Sequence, residues 1–187
     1  SLNMKNNLNF FSNQFKQINF LLESIDLKKI KQIVDSILKV KKNKGKVIIV
    51  GNGGCASTAS HFSVDLSVNG KIKTISFNEY NLITALSNDF GYEKWVEKSI
   101  EIYGKKMDLL ILISCSGNSK NLVNANKLAL KKGIKVITIT GCSKKNKLNS
   151  NKKNLRIWID SKDYNIIEIV HHTLLLTIID NLMKHNK

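Results

Sequence analysis

Two strand-length apolar segments, each ending in a turn of small residues, constrain this fold more than any other feature of the sequence. Residues 46–50 run into the glycine-rich turn 51–54, and residues 108–113 run into the serine-rich turn 114–119. Apolar runs without alternation are typical of parallel strands that helices cover on both faces. We therefore predict an α/β fold in which both turns lie at the carboxyl edge of one parallel sheet.

Helical periodicity surrounds these strands. An amphipathic helix is predicted where apolar residues recur every three or four positions, at Leu8, Phe11, Phe15, Ile18 and Leu22. A second is predicted over residues 27–40, with Ser24 and Asp26 as candidate caps. Because these two helices are additional to a minimal nucleotide fold, we expect their apolar stripes to pack on a partner such as another subunit. The remaining predictions are helices at 56–68, 80–86, 92–102, after Ser119 to about 132 and 164–183, strands at 73–77, 135–140 and 155–159, and a surface loop at 143–154.

The chain is predicted to form one domain. It has 187 residues, and no Pro- or Gly-rich linker divides residues 4–187. Residues 1–3, which precede Met4, are interpreted as a cloning remnant. No uninterrupted apolar run approaches the roughly 18 residues that cross a bilayer, and no secretion signal is recognisable. We therefore expect a cytoplasmic protein with no membrane partner.

The charge of the chain raises the question of nucleic-acid binding, because the formal net charge is +16. Arg156 is the only arginine, although arginine is the residue that grips bases and phosphates in a bidentate manner. The lysines are spread along the chain without interleaved aromatic residues on which bases could stack. We interpret the charge as a solvated surface and do not expect nucleic acid as a partner.

The two turns have the properties of an anion-binding site. Glycines in the first turn let the backbone approach a ligand, and each following helix directs its amino-terminal N–H groups toward the turn. Ser114, Ser116 and Ser119 add hydroxyl donors in the second. Neither turn has the Walker ending or the spacing of a dinucleotide fold. Each alone is also compatible with an ordinary tight turn or capped helix start, but together they favour an anion site.

The three cysteines, Cys55, Cys115 and Cys142, are odd in number and lack the spacing of a sequence-coded metal site. Each follows a predicted strand, so we interpret them as small reduced side chains in tight turns. Cys55 and Cys115 belong to the two turns described above and are candidates for ligand contact.

Three segments of the sequence resemble a known family. They are residues 50–62 (VGNGGCASTASHF), 85–93 (ALSNDFGYE) and 113–121 (ISCSGNSKN). In this order and at these distances they resemble the SIS (sugar isomerase) family, and most closely its phosphoheptose isomerases. The resemblance implies a three-layer α/β/α sandwich of flavodoxin-like type, a homotetramer with sites at subunit interfaces, and a phosphorylated sugar as ligand.

The resemblance also implies which residues bind that ligand. Ser116 and Ser119 would hold the phosphate, helped by Ser114 and by the backbone of Cys115. Cys55 stands where the family usually has serine. The remaining ligand-binding residues would be Asn52, Gly53, Gly54, Asp89 and Asn118.

The implied reaction moves a proton between C1 and C2 of a ketose phosphate through an enediol, which requires a base and an acid. The family's base is a glutamate one helical turn after a histidine. Here that position is Asp65, four residues after His61. Aspartate is shorter by one methylene, and a misplacement on the order of 1 Å can cost about a hundredfold in rate.

The last helix departs from the family pattern. Glu168 stands at the position of a glutamine, and Leu176 stands where the family has its catalytic histidine. Leucine cannot donate a proton. His172 lies one turn before Leu176 and is a candidate acid, although His171 and His172 are also compatible with ordinary partly buried helix residues.

Zinc is a candidate cofactor, because some family members bind it through these same positions. His61, Asp65 and Glu168 would supply one imidazole and two carboxylates, and an empty site is the alternative. Three functions remain open from the sequence. They are an isomerase of a heptose phosphate, an isomerase of another sugar phosphate, and a sugar-phosphate-binding module without catalysis.

Overall fold

A five-stranded parallel sheet forms the centre of the protein. The computed structural model describes residues 2–185, and the side chains of residues 7–184. The strands lie in the order β2-β1-β3-β4-β5. They are β1 (Val47–Gly51), β2 (Thr74–Ser76), β3 (Leu109–Ser114), β4 (Lys135–Thr140) and β5 (Leu155–Trp158).

Helices cover both faces of this sheet, so the predicted three-layer α/β/α sandwich of flavodoxin-like order is confirmed. The predicted boundaries agree with the observed ones to within about four residues, except that the first helix begins at Leu2 and not at Leu8. Residues 1, 186 and 187 of the predicted segments lie outside the described part of the chain. The helices are α1 (Leu2–Glu23), α2 (Leu27–Lys42), α3 (Gly54–Val68), α4 (Tyr80–Phe90), α5 (Trp95–Tyr103), α6 (Lys120–Lys131), α7 (Lys147–Ser150) and α8 (Tyr164–His185).

The strands bury side chains on both faces, which explains their unbroken apolar sequence. Ile49 and Ile111 point into a core shared with α1, α2, α3 and α8. Ile48 and Leu110, their chain neighbours, point into the opposite core, shared with α4, α5 and α6. Each such buried side chain contributes about 1.5–3 kcal/mol relative to exposure, so the doubly covered strands are the most strongly determined part of the fold.

The two leading helices pack only in part on this chain. Asp26 is the predicted cap of α2, and its side chain accepts a hydrogen bond of 2.9 Å from the Lys28 N–H. Helix α2 buries Ile33 and Ile37. Helix α1 packs against α8 near its carboxyl end, where Leu21 is buried. Further toward the amino end, its apolar side chains are exposed.

The predicted surface loop at residues 143–154 is wrong in one respect, because it contains the short helix α7 and several buried residues. Leu148 is fully buried in the core that also holds α6. Asn146 is buried at the start of α7, where its side-chain oxygen accepts from the Asn149 N–H. This segment packs beneath the serine-rich turn, since the Leu148 N–H donates to the carbonyl of Gly117 over 3.1 Å.

Helix α8 is long and apolar enough to cross a membrane by length and composition, over Tyr164–Lys184. It is not an uninterrupted apolar run, because Glu168, His171 and Asp180 lie within it. Half of the segment is buried inside the fold. Contacts with α3 and α1 and the burial of Val170, Leu175 and Ile178 explain its apolar composition as that of a core helix.

The strand register places the two turns side by side. Gly51 at the end of β1 is paired with Ile113, the residue before Ser114, at the end of β3. Strand β1 continues through α3 to β2 on one side, and β3 continues through α6 to β4 on the other, so the connections diverge between these two strand ends. Crevices of this kind, beyond the carboxyl ends of parallel strands, are where open α/β sheets bind ligands.

Candidate functional site

A cavity of about 150 Å³ lies at this point, between the two turns and the start of α8. Most of the residues predicted to bind ligand meet in its wall. The lining residues are Asn52, Cys55, Ile113, Ser114, Cys115, Ser116, Ser119, Tyr164 and Glu168.

The serine-rich turn is held by its own hydroxyl groups. Ser114 Oγ accepts from the Gly117 N–H over 3.0 Å, and Ser116 Oγ accepts from the Asn118 N–H over 3.2 Å. Gly117 has a φ of 64°, and a β-carbon there would overlap the side chain of Asn146. The turn therefore requires glycine at this position for both its backbone conformation and its packing.

Ser119 occupies the N-cap position of α6, yet its side chain makes no capping hydrogen bond. The predicted alternative of an ordinary capped helix start is therefore not what the structure contains. Its hydroxyl lines the cavity instead, at the positive end of a twelve-residue helix. Such a hydroxyl, next to the Ser116 hydroxyl, suits the oxygens of a phosphate.

Asn52, from the glycine-rich turn, is fixed by a pair of amide hydrogen bonds. Its Nδ2 donates to Asn121 Oδ1 over 3.1 Å, and Asn121 Nδ2 donates back to Asn52 Oδ1 over 2.9 Å. Tyr92 adds a third bond, from its hydroxyl to Asn52 Oδ1 over 3.2 Å. The segment 85–93 therefore reaches the site through Tyr92.

The other residues predicted to bind the ligand do not line this cavity. Asp89 is on helix α4 and not on a loop, it is exposed, and its side chain accepts from the neighbouring Asn88. It does not line the cavity. Gly53 and Asn118 are exposed at the turns themselves, and Asn118 Oδ1 accepts from the Lys147 N–H.

Glu168 projects from α8 over the amino end of α3. Its carboxylate fills the space that a β-carbon on Gly54 would need, so glycine at this position admits the carboxylate. Cys115 Sγ lies 3.8 Å from Glu168 Oε1. Glu168 also lines a second, more open pocket of about 430 Å³ together with Thr58 and His172. It is thus the carboxylate that joins the two pockets.

Beside this second pocket, four side chains from α3 and α8 form a continuous chain of polar contacts, of which the first two are hydrogen bonds. Thr58 Oγ1 lies 3.0 Å from His172 Nδ1, and His172 Nε2 lies 3.1 Å from His61 Nδ1. His61 Nε2 lies 3.3 Å from a carboxylate oxygen of Asp65. His172, the candidate acid of α8, thus contacts His61 of α3. We refer to these four residues as the histidine chain.

The direction of donation along the histidine chain follows from its last member. The carboxylate of Asp65 can only accept, so its contact with His61 Nε2 favours a proton on that nitrogen and leaves Nδ1 of His61 as the acceptor. His172 must donate from Nε2 and accept at Nδ1 from the Thr58 hydroxyl. Burial, and to a smaller extent His61, lowers the pKa of His172 below its usual range, which favours this neutral form.

The predicted zinc ligands do not form a common site in one subunit. Among the described side chains, those of 7–184, the residues His61, Asp65 and Glu168 do not come together as a group of potential metal ligands. His61 is engaged by both His172 and Asp65. The residues present therefore do not fit the zinc site implied by the family resemblance, and no catalytic step through zinc follows from this geometry.

Leu176 is partly buried and packs against the apolar core formed with α2 and α3. It therefore belongs to the core, and the acid expected at this position must come from elsewhere.

Sequence reasoning missed several residues of the site. Asn121 stands inside one of the quoted motifs and could have been found there. Thr58 likewise stands inside the first quoted motif. Tyr164 offered no pattern, because its contribution depends on how α8 packs at the cavity. His171 was set aside, yet it is fully buried beside Cys55 and Cys115.

The two cysteines in the cavity wall perturb each other. Cys55 Sγ lies 3.7 Å from Cys115 Sγ. Hydrogen bonding from Cys115 lowers the pKa of the Cys55 thiol despite its burial. The hydrogen bond with Cys55, together with burial, raises the pKa of Cys115. Of the pair, Cys55 is the one disposed to be a thiolate.

Known proteins share these features of sequence. A phosphoheptose isomerase of Helicobacter pylori strain P12 is 38% identical over 126 residues, which cover 64% of this chain and 65% of that protein. The chain thus matches just under two thirds of this relative's length. A phosphoheptose isomerase of Aliarcobacter butzleri strain RM4018 is 36% identical over 158 residues, which cover 77% of this chain and 80% of that protein.

Known structures share the fold. The structure of a phosphoheptose isomerase from Neisseria gonorrhoeae superposes with a TM-score of 0.87, covering 97% of this chain and 99% of that one at 24% identity. At that identity the likeness concerns the fold alone. The family model of the SIS domain matches residues 11–141, which include both turns and the histidine of α3. The chain therefore belongs to the SIS domain family and, within it, to the group of the phosphoheptose isomerases.

Proposed function

We propose that the protein is an aldose–ketose isomerase that interconverts sedoheptulose 7-phosphate and D-glycero-D-manno-heptose 7-phosphate. One observation carries the proposal, namely that a single cavity brings the hydroxyls of Ser116 and Ser119 together with the carboxylate of Glu168. The relatives named above, at 36% and 38% identity, are phosphoheptose isomerases and support the same substrate. The proposal includes a cytoplasmic location, because charged sugar phosphates do not cross membranes freely.

The geometry suggests how the substrate lies. Its phosphate is held by Ser116 and Ser119 at the amino end of α6, where the helix dipole favours an anion. The sugar then extends along the cavity past Asn52 and Cys55. Asn52 is held in place by Asn121 and can donate to or accept from a sugar hydroxyl with little reorganisation.

Glu168 is our candidate for the base that moves the proton between C1 and C2. It is the carboxylate in the cavity wall, whereas Asp65, the base expected from the family resemblance, does not line that cavity in its own subunit. Asp65 instead accepts from His61 at one end of the histidine chain. His172, at the other pocket that Glu168 lines, is our candidate for exchanging the proton on the substrate oxygen.

We further propose that the protein is a homotetramer whose interfaces use α1 and the groove between α2 and α8. Leu8, Phe11 and Phe15 on α1 have exposed fractions of 66%, 54% and 67%, a patch of the kind that marks association surfaces. The groove, of about 570 Å³, is lined by apolar side chains that include Ile30, Val34, Leu38 and Leu174.

The oligomeric part of the proposal is tested by light scattering after size-exclusion chromatography. A tetramer is expected for the wild type, and a smaller species for Phe15→Asp, because the charge disfavours burial of this stripe. An unchanged mass for the variant would remove α1 from the interface.

The competing function is a sugar-phosphate-binding module without catalysis, and Leu176 is the observation that favours it. The two are separated by a coupled assay with sedoheptulose 7-phosphate alongside a thermal shift measurement with the same compound. Isomerase activity requires turnover well above background, whereas a binding module requires a rise in melting temperature without turnover.

A further inference from the structure

We propose that Cys55, Cys115 and His171 form a binding site for a soft divalent metal of the zinc class, in the wall of the sugar-phosphate cavity. The site is separate from the family's zinc positions, which correspond here to His61, Asp65 and Glu168. The proposal does not rest on the isomerase function, since it concerns metal binding by the protein without substrate.

The first argument is the distance between the sulfurs. Zinc binds thiolate sulfur at about 2.3 Å in tetrahedral geometry, so two thiolates on one zinc are about 3.8 Å apart. The sulfurs of Cys55 and Cys115 are 3.7 Å apart before any metal is added. A metal therefore requires almost no movement of these two side chains toward or away from each other.

The second argument is the third ligand. One ligand atom from each of Cys55, Cys115 and His171 lies within 4.8 Å of the other two, and all three residues are buried. They come from the start of α3, the turn directly after β3 and the middle of α8, which are held together by the main core. The arrangement is therefore fixed by the fold, although no spacing in the sequence indicates it.

The third argument is the state of the His171 ring. Its Nε2 lies 3.3 Å from the carbonyl oxygen of Thr140, an oxygen that can only accept, so Nε2 carries the proton. Nδ1 then has a free lone pair, and although fully buried it has no hydrogen-bond partner of ordinary geometry. A histidine that binds a metal commonly donates a hydrogen bond from its other ring nitrogen to a backbone carbonyl, as Nε2 of His171 does here.

Chemistry of the ligands adds support. Two sulfurs and one imidazole nitrogen are soft to intermediate ligands, which favour zinc and its analogues over magnesium or calcium. The set leaves a fourth coordination position, because Cys55 and Cys115 both face the cavity. Three protein ligands with one open position are typical of zinc sites that accept water or a substrate atom.

Cobalt(II) provides the direct test, because it replaces zinc and reports sulfur ligation by charge-transfer absorption in the near ultraviolet. The full-length protein is titrated with cobalt under a phosphine reductant, and zinc is then added in competition with a chromophoric chelator. We expect one metal per chain, sulfur-to-cobalt absorption, and at least a tenfold weaker affinity in Cys115→Ser and Cys55→Ser.

Two variants serve as controls. Cys142→Ser removes the third cysteine, which is not part of the cluster, and His61→Ala removes the imidazole of the family's zinc position. Both are expected to bind cobalt as the wild type does, with circular dichroism confirming that every variant is folded. Cobalt binding without sulfur absorption, unchanged binding in both cluster variants, or loss of binding in His61→Ala would each overturn the proposal.

Discussion

The Nε2 atom of His172 lies 3.1 Å from the Nδ1 atom of His61, so α8 and α3 are joined by a bond between two imidazoles. Asp65 at one end and Thr58 at the other give this bond a direction. We therefore expect His172, which lies one turn before Leu176, to adopt one tautomer next to the pocket that Glu168 lines.

The tautomer of His172 can be observed directly. We expect nitrogen NMR shifts that show protonated Nε2 and unprotonated Nδ1 in the wild type at neutral pH. Thr58→Val removes the donor to Nδ1. We expect a mixture of the two neutral tautomers of His172 in this variant, because the preference for a proton on Nε2 is weaker without that donor. A wild-type ring protonated at Nδ1 would contradict the direction of the histidine chain.

Removal of the carboxylates separates the two candidate bases. Glu168→Gln is expected to lower kcat by roughly 10²–10⁴-fold, the usual contribution of a general base. Asp65→Asn preserves the shape of the side chain and is expected to lower kcat by less, since it disturbs only the orientation of His61. Steady-state kinetics with sedoheptulose 7-phosphate measures both. If Asp65→Asn is inactive while Glu168→Gln is not, the base is Asp65, acting on a neighbouring subunit.

Loss of a hydroxyl from the serine-rich turn is expected to weaken substrate binding. Ser119→Ala removes a hydroxyl that makes no capping bond, so the helix remains and only the ligand contact is lost. A hydrogen bond to a charged group contributes about 1.5–3 kcal/mol, which corresponds to a rise in KM of roughly 10- to 150-fold. Ser150→Ala, on the exposed end of α7, is the matched control and should leave KM unchanged. An equal KM in both variants would place the phosphate elsewhere.

Two glycines with left-handed backbone provide a comparison of stability. Gly117 has a φ of 64° and its missing β-carbon would overlap Asn146, whereas Gly133 has a φ of 72° and only the flexible Lys106 side chain nearby. Gly133→Ala should cost about 1–2 kcal/mol for its backbone alone. Gly117→Ala should cost roughly 1–3 kcal/mol more, since the buried amide must also move. Urea denaturation measures the difference, and equal losses would contradict the packing of α7 beneath the turn.

The fold could be predicted largely from the sequence, because its strongest signals are local. The apolar run 109–113 indicates a strand that is covered on both faces. The turn that follows contains Gly117, and a glycine by itself indicates a turn with left-handed backbone. Helix α7 could not be predicted in this way. Its polar sequence indicated a loop, and its packing depends on contacts of Asn146 and Leu148 with Gly117, which belongs to a separate segment of the chain.

The sequence could predict only those site residues that lie together within one motif. Ser116 and Ser119 lie within a single turn and were found, and Asn121 lay in the same motif. The contact between His172 and His61 joins residues 111 positions apart, so spacing along α8 showed only that it was geometrically possible. The burial of His171 beside two cysteines required the packing of α8 on α3, which no local pattern encodes.

The most direct test of the account is isomerisation of sedoheptulose 7-phosphate by the purified protein in heavy water, followed by NMR. Proton transfer through an enediol predicts formation of the aldose phosphate with deuterium at C2, and loss of both turnover and labelling in Glu168→Gln. Absence of turnover, together with a ligand-induced rise in melting temperature, would contradict the isomerase and leave a sugar-phosphate-binding protein.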